Sequence, residues 1–192
     1  MASVTGVSAE IHSIQTISGN QPRMKRIIEE AGQTFLSGTP VQLASGDGGL
    51  QAWTQGATAI AGFAKEAANN LGSLGVNPTA AVNPNAQPSS GSVPFESLAV
   101  SITRPFFRDG RIGVEIACAD TVFWGQTNNT VAASNVGKTY NLTKDTDNHW
   151  YVDLTNTTNL VATIVRLDPN DQSATPRGVY FVITPAFWQL PG

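Results

Sequence analysis

The stretch that decides the fold class is residues 111–124, which read Arg-Ile-Gly-Val-Glu-Ile-Ala-Cys-Ala-Asp-Thr-Val-Phe-Trp. Its apolar residues Ile112, Val114 and Ile116 alternate with other residues, and residues 121–124 continue the pattern. A period of two places successive side chains on opposite faces of a strand, so that one face can be buried. The stretch therefore predicts β-strands in a sheet with one buried face.

Similar short runs recur along the chain, and turns rich in Gly, Pro, Asn and Asp separate them. We predict strands or parts of hairpins at 24–31, 41–44, 50–53, 98–102, 106–112, 112–117, 121–124, 140–143, 150–154, 160–167 and 179–184. Many short strands with regular turns are typical of antiparallel architectures. The fold class is therefore predicted to be all-β, an antiparallel sandwich or barrel (tulip-like) of about eight or more short strands.

Residues 58–70 are compatible with two structures. Ala, Lys and Glu are frequent there and favour a helix. Residues 60–64, Ile-Ala-Gly-Phe-Ala, also fit a strand in which Gly62 marks a bulge or the close approach of another backbone. The residues alone leave helix and strand open here.

The first segment, residues 1–22, is predicted to be an N-terminal arm. Val7, Ile11, Ile14 and Ile17 are spaced by three and four, as on one face of a helix. They are also β-branched and separated by polar residues, which favours an extended chain. The arm is therefore either helical or extended, and it has too few apolar residues to form a core alone.

The rest of the chain, residues 23–192, is predicted to be a single β domain with a loop excursion at 69–94. Prolines and turn residues interrupt regular structure throughout the excursion. These prolines are Pro78, Pro84, Pro88 and Pro94. Because so long a loop is unusual inside a compact domain, we expect it to lie on a neighbouring subunit.

The charge content narrows the possible partners. Charged residues make up 13% of the chain and the net charge is −3. The densest basic stretch is Arg23 with Lys25 and Arg26, so we expect no direct contact with nucleic acid. No apolar run approaches the length of a membrane span, so no membrane contact is expected. The first residues lack the pattern of a signal peptide, so we expect synthesis in a host cytoplasm.

The nucleophiles and bases that an enzyme would need are scarce. Cys118 is the only cysteine and lies in an apolar run, and the only histidines are His12 and His149. No Gly-x-Ser-x-Gly motif is present. Acidic residues near aromatic residues could act on sugars in pairs, but the sequence brings no two of them together. These acidic residues are Glu96, Glu115, Asp120 and Asp153.

Residues 145–149, Asp-Thr-Asp-Asn-His, begin like a calcium-binding loop. Such a loop needs Gly at its sixth position and Glu at its twelfth, where this chain has Trp150 and Asn156. A hairpin turn explains these acidic residues better. We therefore predict that the chain is not an enzyme and that it has no catalytic residue, no metal site and no cofactor.

The large aromatic residues allow two interpretations. They either fill the core or an interface, or they form a platform on which sugars stack. The residues are Trp53, Trp124, Trp150, Trp188, Tyr140 and Tyr151. We favour the core, and we keep a carbohydrate-binding or host-attachment module of a phage or cell surface as the alternative function. That alternative predicts exposed, coplanar rings among Trp124, Trp150 and Tyr151.

The order of these elements resembles the head decoration, or cement, proteins of tailed bacteriophages. Small β decoration proteins have a Gly-x-x-Val strand, a hydrophobic Ala-Gly strand and a Val-Gly-x-x-Tyr turn and strand in this order. This chain has Gly38-Thr39-Pro40-Val41, then residues 60–64, then residues 113–117 and 121–123, then Val136-Gly137-Lys138-Thr139-Tyr140. The resemblance spans residues 36–143, and it favours a strand at 60–64.

The resemblance implies a structural function. Such proteins bind the outer surface of a phage head, where they bridge neighbouring major capsid subunits and stabilise them. They act as homodimers or homotrimers and carry no cofactor. For this chain it implies a capsid decoration protein located in the virion, with the major capsid protein and further copies of itself as partners.

Overall fold

The computed structural model describes residues 10–30, 32–46, 48–68, 111–156 and 158–190. These residues form two antiparallel sheets that pack as a sandwich, which confirms the predicted all-β class. The strands are β1 (His12–Thr16), β2 (Met24–Ile28), β3 (Pro40–Leu43), β4 (Leu50–Ala52), β5 (Gly62–Ala64), β6 (Arg111–Ile116), β7 (Thr121–Gln126), β8 (Thr139–Lys144), β9 (Trp150–Asp153), β10 (Ala162–Leu167) and β11 (Gly178–Ile183). The strands predicted at 98–102 and 106–110 lie outside the described residues, as does the excursion at 69–94.

The strand order shows how each sheet curls. The six-stranded sheet has the order β1-β7-β11-β10-β8-β9, and the five-stranded sheet has the order β2-β6-β5-β3-β4. Thr127, which follows β7, forms a parallel bridge with Val152 of β9, and Glu29, which follows β2, forms one with Leu50 of β4. The chain after β7 thus reaches β9, at the far border of the six-stranded sheet. In the same way, the chain after β2 reaches β4, at the far border of the five-stranded sheet.

The predicted hairpins form because their turn residues allow the chain to reverse. β3 and β4 pair across the turn at 45–49, and β8 pairs with β9 across the turn at 145–149. Asn148 adopts a φ of 67°, a left-handed conformation that asparagine tolerates better than most residues. The turn signals in the sequence therefore identified both hairpins.

The stretch at 60–64 contains strand β5, because Gly62 has no Cβ atom and allows the backbones of β5 and β6 to approach closely. β5 pairs with β3 on one side and with β6 on the other. A Cβ atom on Gly62 would lie 2.0 Å from the carbonyl oxygen of Glu115. Only glycine fits such an approach without moving the backbone. The close approach expected from Gly62 is thus confirmed, in preference to the helix.

The core has two parts. Phe63 of the five-stranded sheet meets Phe123 and Phe181 of the six-stranded sheet, with ring centroids 4.6 Å and 6.1 Å away. These rings lie at the centre of a cluster that both sheets share. A second cluster contains Val114 and Ile116 and occupies the other face of the five-stranded sheet. That sheet is therefore apolar on both faces.

The first and the last described segments both pack on the sandwich. Residues 12–16 of the predicted arm are extended and pair with β7 as β1, which decides between the helical and extended alternatives for those residues. After β11, residues 185–187 form one turn of 3₁₀-helix. Trp188 then bridges to Ile60 and donates its indole N–H to the carbonyl of Ile183. The docked C-terminal tail that the two aromatic residues suggested is therefore present.

Candidate functional site

The residues considered as nucleophile and base do not meet. Cys118 is buried, and its sulfur lies 3.2 Å from the hydroxyl of Thr121. His12 contacts the carbonyl of Glu10 through Nδ1 and packs beside the ring of Trp124. His149 lies in the turn between β8 and β9, where its nearest acidic group is Asp145. The described residues thus form no Cys–His pair.

Among the described acidic residues considered for sugar chemistry, Glu115 and Asp153 take part in structural contacts. Glu115 is buried, pairs with Lys65 at 3.0 Å and accepts the backbone N–H of Ser13 at 2.5 Å. Asp153 accepts hydrogen bonds from Asn128 and Thr155. These bonds orient the carboxylates towards their own neighbouring loops and strands. Glu96 lies outside the described residues.

Two further carboxylates stabilise loops of the six-stranded sheet. Asp120 accepts the side-chain hydroxyl and the backbone N–H of Ser18, and these hydrogen bonds lower the pKa of Asp120 below 3.8. Asp171 accepts the backbone N–H groups of Gly178 and Arg177 and the hydroxyl of Ser173. These bonds lower the pKa of Asp171 to about 2. A carboxylate that is so well solvated by the protein is a poor general base.

The only possible group of metal ligands among the described residues is in the β8–β9 turn. One ligand atom each from Asp145, Asp147 and His149 lies within 4.8 Å of the others. The carboxylate of Asp145 accepts the backbone N–H groups of Asp147 and His149, and its other oxygen lies 3.3 Å from the imidazole. The backbone hydrogen bonds of the turn therefore account for the position of the Asp145 carboxylate.

The rings proposed for a sugar platform do not form one. Trp150 and Tyr151 are buried, and Trp124 is half-buried with its indole N–H donated to Asp168 at 2.7 Å. Burial, with the nearby charge of Asp153, raises the pKa of the Tyr151 phenol. The expectation of three exposed, coplanar rings is therefore wrong, because the alternate residues of β9 are buried on both faces of the strand.

A groove runs between the 32–39 loop and the β8–β9 turn, and we call it the end groove. One part of it encloses about 190 Å³ and the other about 100 Å³, with Leu36, Asn148 and Trp150 lining both. Trp53 lines the larger part, and its buried Nε1 has no hydrogen-bond partner among the described residues. The end groove mixes aromatic and polar side chains, and sequence reasoning did not identify it.

The borders of the two sheets form a second candidate surface. Along β9, Asn128 donates to Asp153 and accepts the N–H of Leu154. Along β4, Leu50 accepts the N–H of Glu30, and the side chain of Gln33 accepts the N–H of Ala52. Both borders are therefore covered by segments of the same chain.

The remaining borders, β1 and β2, lie on one side of the molecule, which we call the β1–β2 side. Glu115 of β6 lies close to both strands. Its carboxylate accepts the N–H of Ser13 in β1, and its backbone lies opposite Met24 of β2 in the antiparallel ladder. Three large apolar side chains are exposed on this segment: Ile14, Ile17 and Met24, at 39%, 66% and 56%. Exposed apolar side chains of this size are frequent at interaction surfaces.

The β1–β2 side is a candidate surface that sequence reasoning did not identify. The sequence feature that marks this surface is the basic stretch at Arg23, Lys25 and Arg26. In the sequence analysis that stretch was used only to argue against nucleic-acid binding. That these residues lie on a border strand depends on which strands pair, and local sequence does not reveal that pairing.

Within the described residues, no helix has the length and hydropathy that crossing a membrane requires. Comparison with known proteins finds no family model that matches the chain, and no curated protein or solved structure matches it either.

Proposed function

We propose that this chain is a structural protein that binds the outer surface of a phage head and bridges and stabilises major capsid subunits. The observation that carries the proposal is the β1–β2 side, where two border strands and exposed apolar side chains lie together. A protein that acts through its contacts needs such a surface and needs no catalytic cluster. Many copies that each add a modest interface stabilise a shell through avidity.

The composition supports the same function. With 13% charged residues, much of the polar surface consists of Thr, Ser, Asn, Gln and Gly. Such a surface costs less to desolvate than a charged one, so it suits a protein that packs closely with neighbours. Several carboxylates described above take part in hydrogen bonds within turns and between strands.

Binding to heads tests the proposal directly. Expanded heads assembled from the major capsid protein of the phage that encodes this chain would be mixed with the purified chain and sedimented. We expect co-sedimentation at a fixed ratio of copies per capsid subunit, together with a higher temperature of head disruption. A purified chain that stays in the supernatant at every concentration would contradict the proposal.

Self-association is the second part of the proposal. A homodimer or homotrimer would present several β1–β2 sides at once and so engage several capsid subunits. Analytical ultracentrifugation over a hundredfold range of concentration measures this. A mass that stays at the 20.2 kDa of one chain throughout would contradict the oligomer but not head binding.

The alternative is a carbohydrate-binding or host-attachment module, and the end groove is the feature that favours it. Lys144 and Asn148 line the groove beside the two tryptophans and could bind sugar hydroxyls. A glycan array tests this function. We expect no binding; a hit that is lost in Asn148→Ala and kept in the distant Asn170→Ala would favour the alternative over the structural function.

A further inference from the structure

The turn between β8 and β9 brings three possible metal ligands together. One ligand atom each from Asp145, Asp147 and His149 lies within 4.8 Å of the other two. Oδ2 of Asp145 and Nδ1 of His149 are 3.3 Å apart. Two ligand atoms that bind one ion at about 2.1 Å each, at a tetrahedral angle, are separated by about 3.4 Å. Asp145 and His149 therefore already have the spacing of a metal chelate.

The hairpin fixes Asp145 through one of its two carboxylate oxygens. The side chain is only 4% exposed, and its Oδ1 accepts the backbone N–H groups of Asp147 and His149 at 2.9 Å and 2.8 Å. Within the described part of the chain, Oδ2 contacts the imidazole and accepts no backbone N–H. Carboxylates that bind metals are themselves oriented by hydrogen bonds of this kind. The turn thus holds Asp145 in place and leaves Oδ2 for an ion.

The ligands can be reached from solvent, and their charge is available to a cation. Asp147 is exposed, so its carboxylate can rotate towards the other two ligand atoms. His149 lines the smaller part of the end groove, with 36% of its side chain exposed. Lys144 is the basic residue of this hairpin, and its Nζ lies 3.5 Å from Oδ1 of Asn148. Among the described residues, no lysine or arginine forms an ion pair with Asp145 or Asp147.

The donor atoms decide which ion fits the turn. Zinc binds imidazole nitrogen and carboxylate oxygen, and a site with three protein ligands completes its shell with water. Calcium and magnesium prefer oxygen ligands alone and need more of them. The glycine and glutamate that a calcium loop requires are replaced here by Trp150 and Asn156. Their absence argues against calcium, as the sequence predicts, but it does not bear on a zinc site.

We propose that the β8–β9 turn binds one zinc ion through Oδ2 of Asp145, a carboxylate oxygen of Asp147 and Nδ1 of His149. Water completes the shell on the exposed side. The ion joins the start of the turn to its end, so it binds the folded hairpin in preference to the unfolded chain and stabilises it. The proposal concerns this turn alone and does not depend on binding to phage heads.

Titration with zinc tests the site directly. The full chain, ¹⁵N-labelled, purified without a polyhistidine tag and freed of metal with a chelator, would be titrated with zinc chloride in a calorimeter and by NMR. We expect one ion per chain, with amide shifts centred on residues 145–149. Calcium chloride and magnesium chloride should bind at least tenfold more weakly. The absence of zinc binding, or shifts centred elsewhere, would overturn the proposal.

Matched histidine variants separate this site from weak binding by any accessible imidazole. His149→Ala removes the nitrogen ligand, and His12→Ala removes the only other histidine of the chain. We expect His149→Ala to bind zinc at least tenfold more weakly and His12→Ala to change the affinity less than threefold. Circular dichroism would confirm that both variants fold. Binding by His149→Ala as tight as that of the parent chain would refute the site.

Thermal unfolding distinguishes a chelate from a simple hydrogen bond between Asp145 and His149. Asp147 takes no part in that contact, so without zinc Asp147→Ala should melt at the same temperature as the parent chain. Excess zinc should raise the melting temperature of the parent, and a chelator should reverse the rise, because only the folded turn binds the ion. Asp147→Ala should lose most of this rise. A rise of equal size in both proteins, or none in the parent, would show that the contact is only a hydrogen bond.

Discussion

β2 and β7 occupy equivalent places in their sheets, yet their outer borders differ. The chain beyond each strand forms a parallel bridge to the far border, at Leu50 for β2 and at Val152 for β7. β7 carries β1 on its outer border, whereas β2 carries no strand from the described part of the chain. Within the described residues, β1 thus covers one border, whereas basic and apolar side chains lie along the other.

This difference shows that each border strand is protected from unwanted pairing in its own way. An open strand border invites pairing with other chains, and proteins cover or charge the borders they do not use. Here β9 and β4 are covered by neighbouring segments, and β1 has its Ser13 N–H bound by Glu115. The exposed basic residues Arg23 and Lys25, before and on β2, place like charges along that border, which opposes pairing with a second copy of the same strand.

The largest expected effect tests whether the two sheets unfold as one cooperative unit. Phe63→Ala removes the ring that contacts Phe123 and Phe181, and we expect a loss of about 4 kcal/mol in the free energy of unfolding. Urea denaturation followed by tryptophan fluorescence measures it. Ile17→Ala, at a residue that is 66% exposed, is the control and should change stability by under about 0.5 kcal/mol. Two separate unfolding transitions would show that the sheets are independent.

The second effect concerns how closely β5 and β6 approach. Gly62→Ala places a Cβ atom 2.0 Å from the carbonyl of Glu115, so the backbone must shift. We expect a loss of about 3 kcal/mol in unfolding free energy, again measured in urea. Gly46→Ala is the matched control, because no atom lies within 4 Å of the added Cβ. A Gly62→Ala protein as stable as the control would mean that β5 does not pair this tightly with β6.

The third prediction compares the two covered borders. Asn128→Ala removes the bonds to Asp153 and Leu154 beside β9, at 2.6 Å and 2.9 Å, and should cost about 2 kcal/mol. Gln33→Ala removes one neutral bond, to the N–H of Ala52 beside β4, and should cost about 1 kcal/mol. Hydrogen exchange of Leu154 and Ala52 reports each border separately. The reverse order of the two losses would show that the β4 border is the better secured.

These borders also show which parts of the fold could be predicted from the sequence. Hairpins at the 45–49 and 145–149 turns followed from local signals, because turn residues and alternation act over a few positions. β1 was ambiguous for a physical reason: a bulge between Ser13 and Gln15 shifts the register and breaks the period of two. The parallel bridges at Glu29 and Thr127 join residues far apart in sequence, so no local pattern indicates them.

Some features of the candidate surface could likewise be predicted from the sequence, and others could not. The basic residues at Arg23 and Lys25 are plain in the sequence, and so is the absence of a catalytic motif. The buried position of Glu115 and the position of β2 at a border of its described sheet depend on the packing of distant strands. A carboxylate beside aromatic residues therefore looked like a catalytic candidate, although its contacts make it a support for β1.

The smallest effect concerns what holds the chain just after β1. The carboxylate of Asp120 accepts the N–H of Ser18 at 2.8 Å and its hydroxyl at 2.5 Å, and these bonds lower the pKa of Asp120 below 3.8. A depressed carboxyl pKa stabilises the folded state above the ordinary pKa, and this contribution is lost as the pH falls through the folded pKa. Below pH 3.8 the end of β1 should therefore loosen before the rest of its sheet. Hydrogen exchange of Ile17 and Ser18 as a function of pH measures this, and Asp120→Asn should show the faster exchange already at pH 7. If Ile17 and Ser18 exchange alike in parent and variant at pH 7, Asp120 does not secure the end of β1.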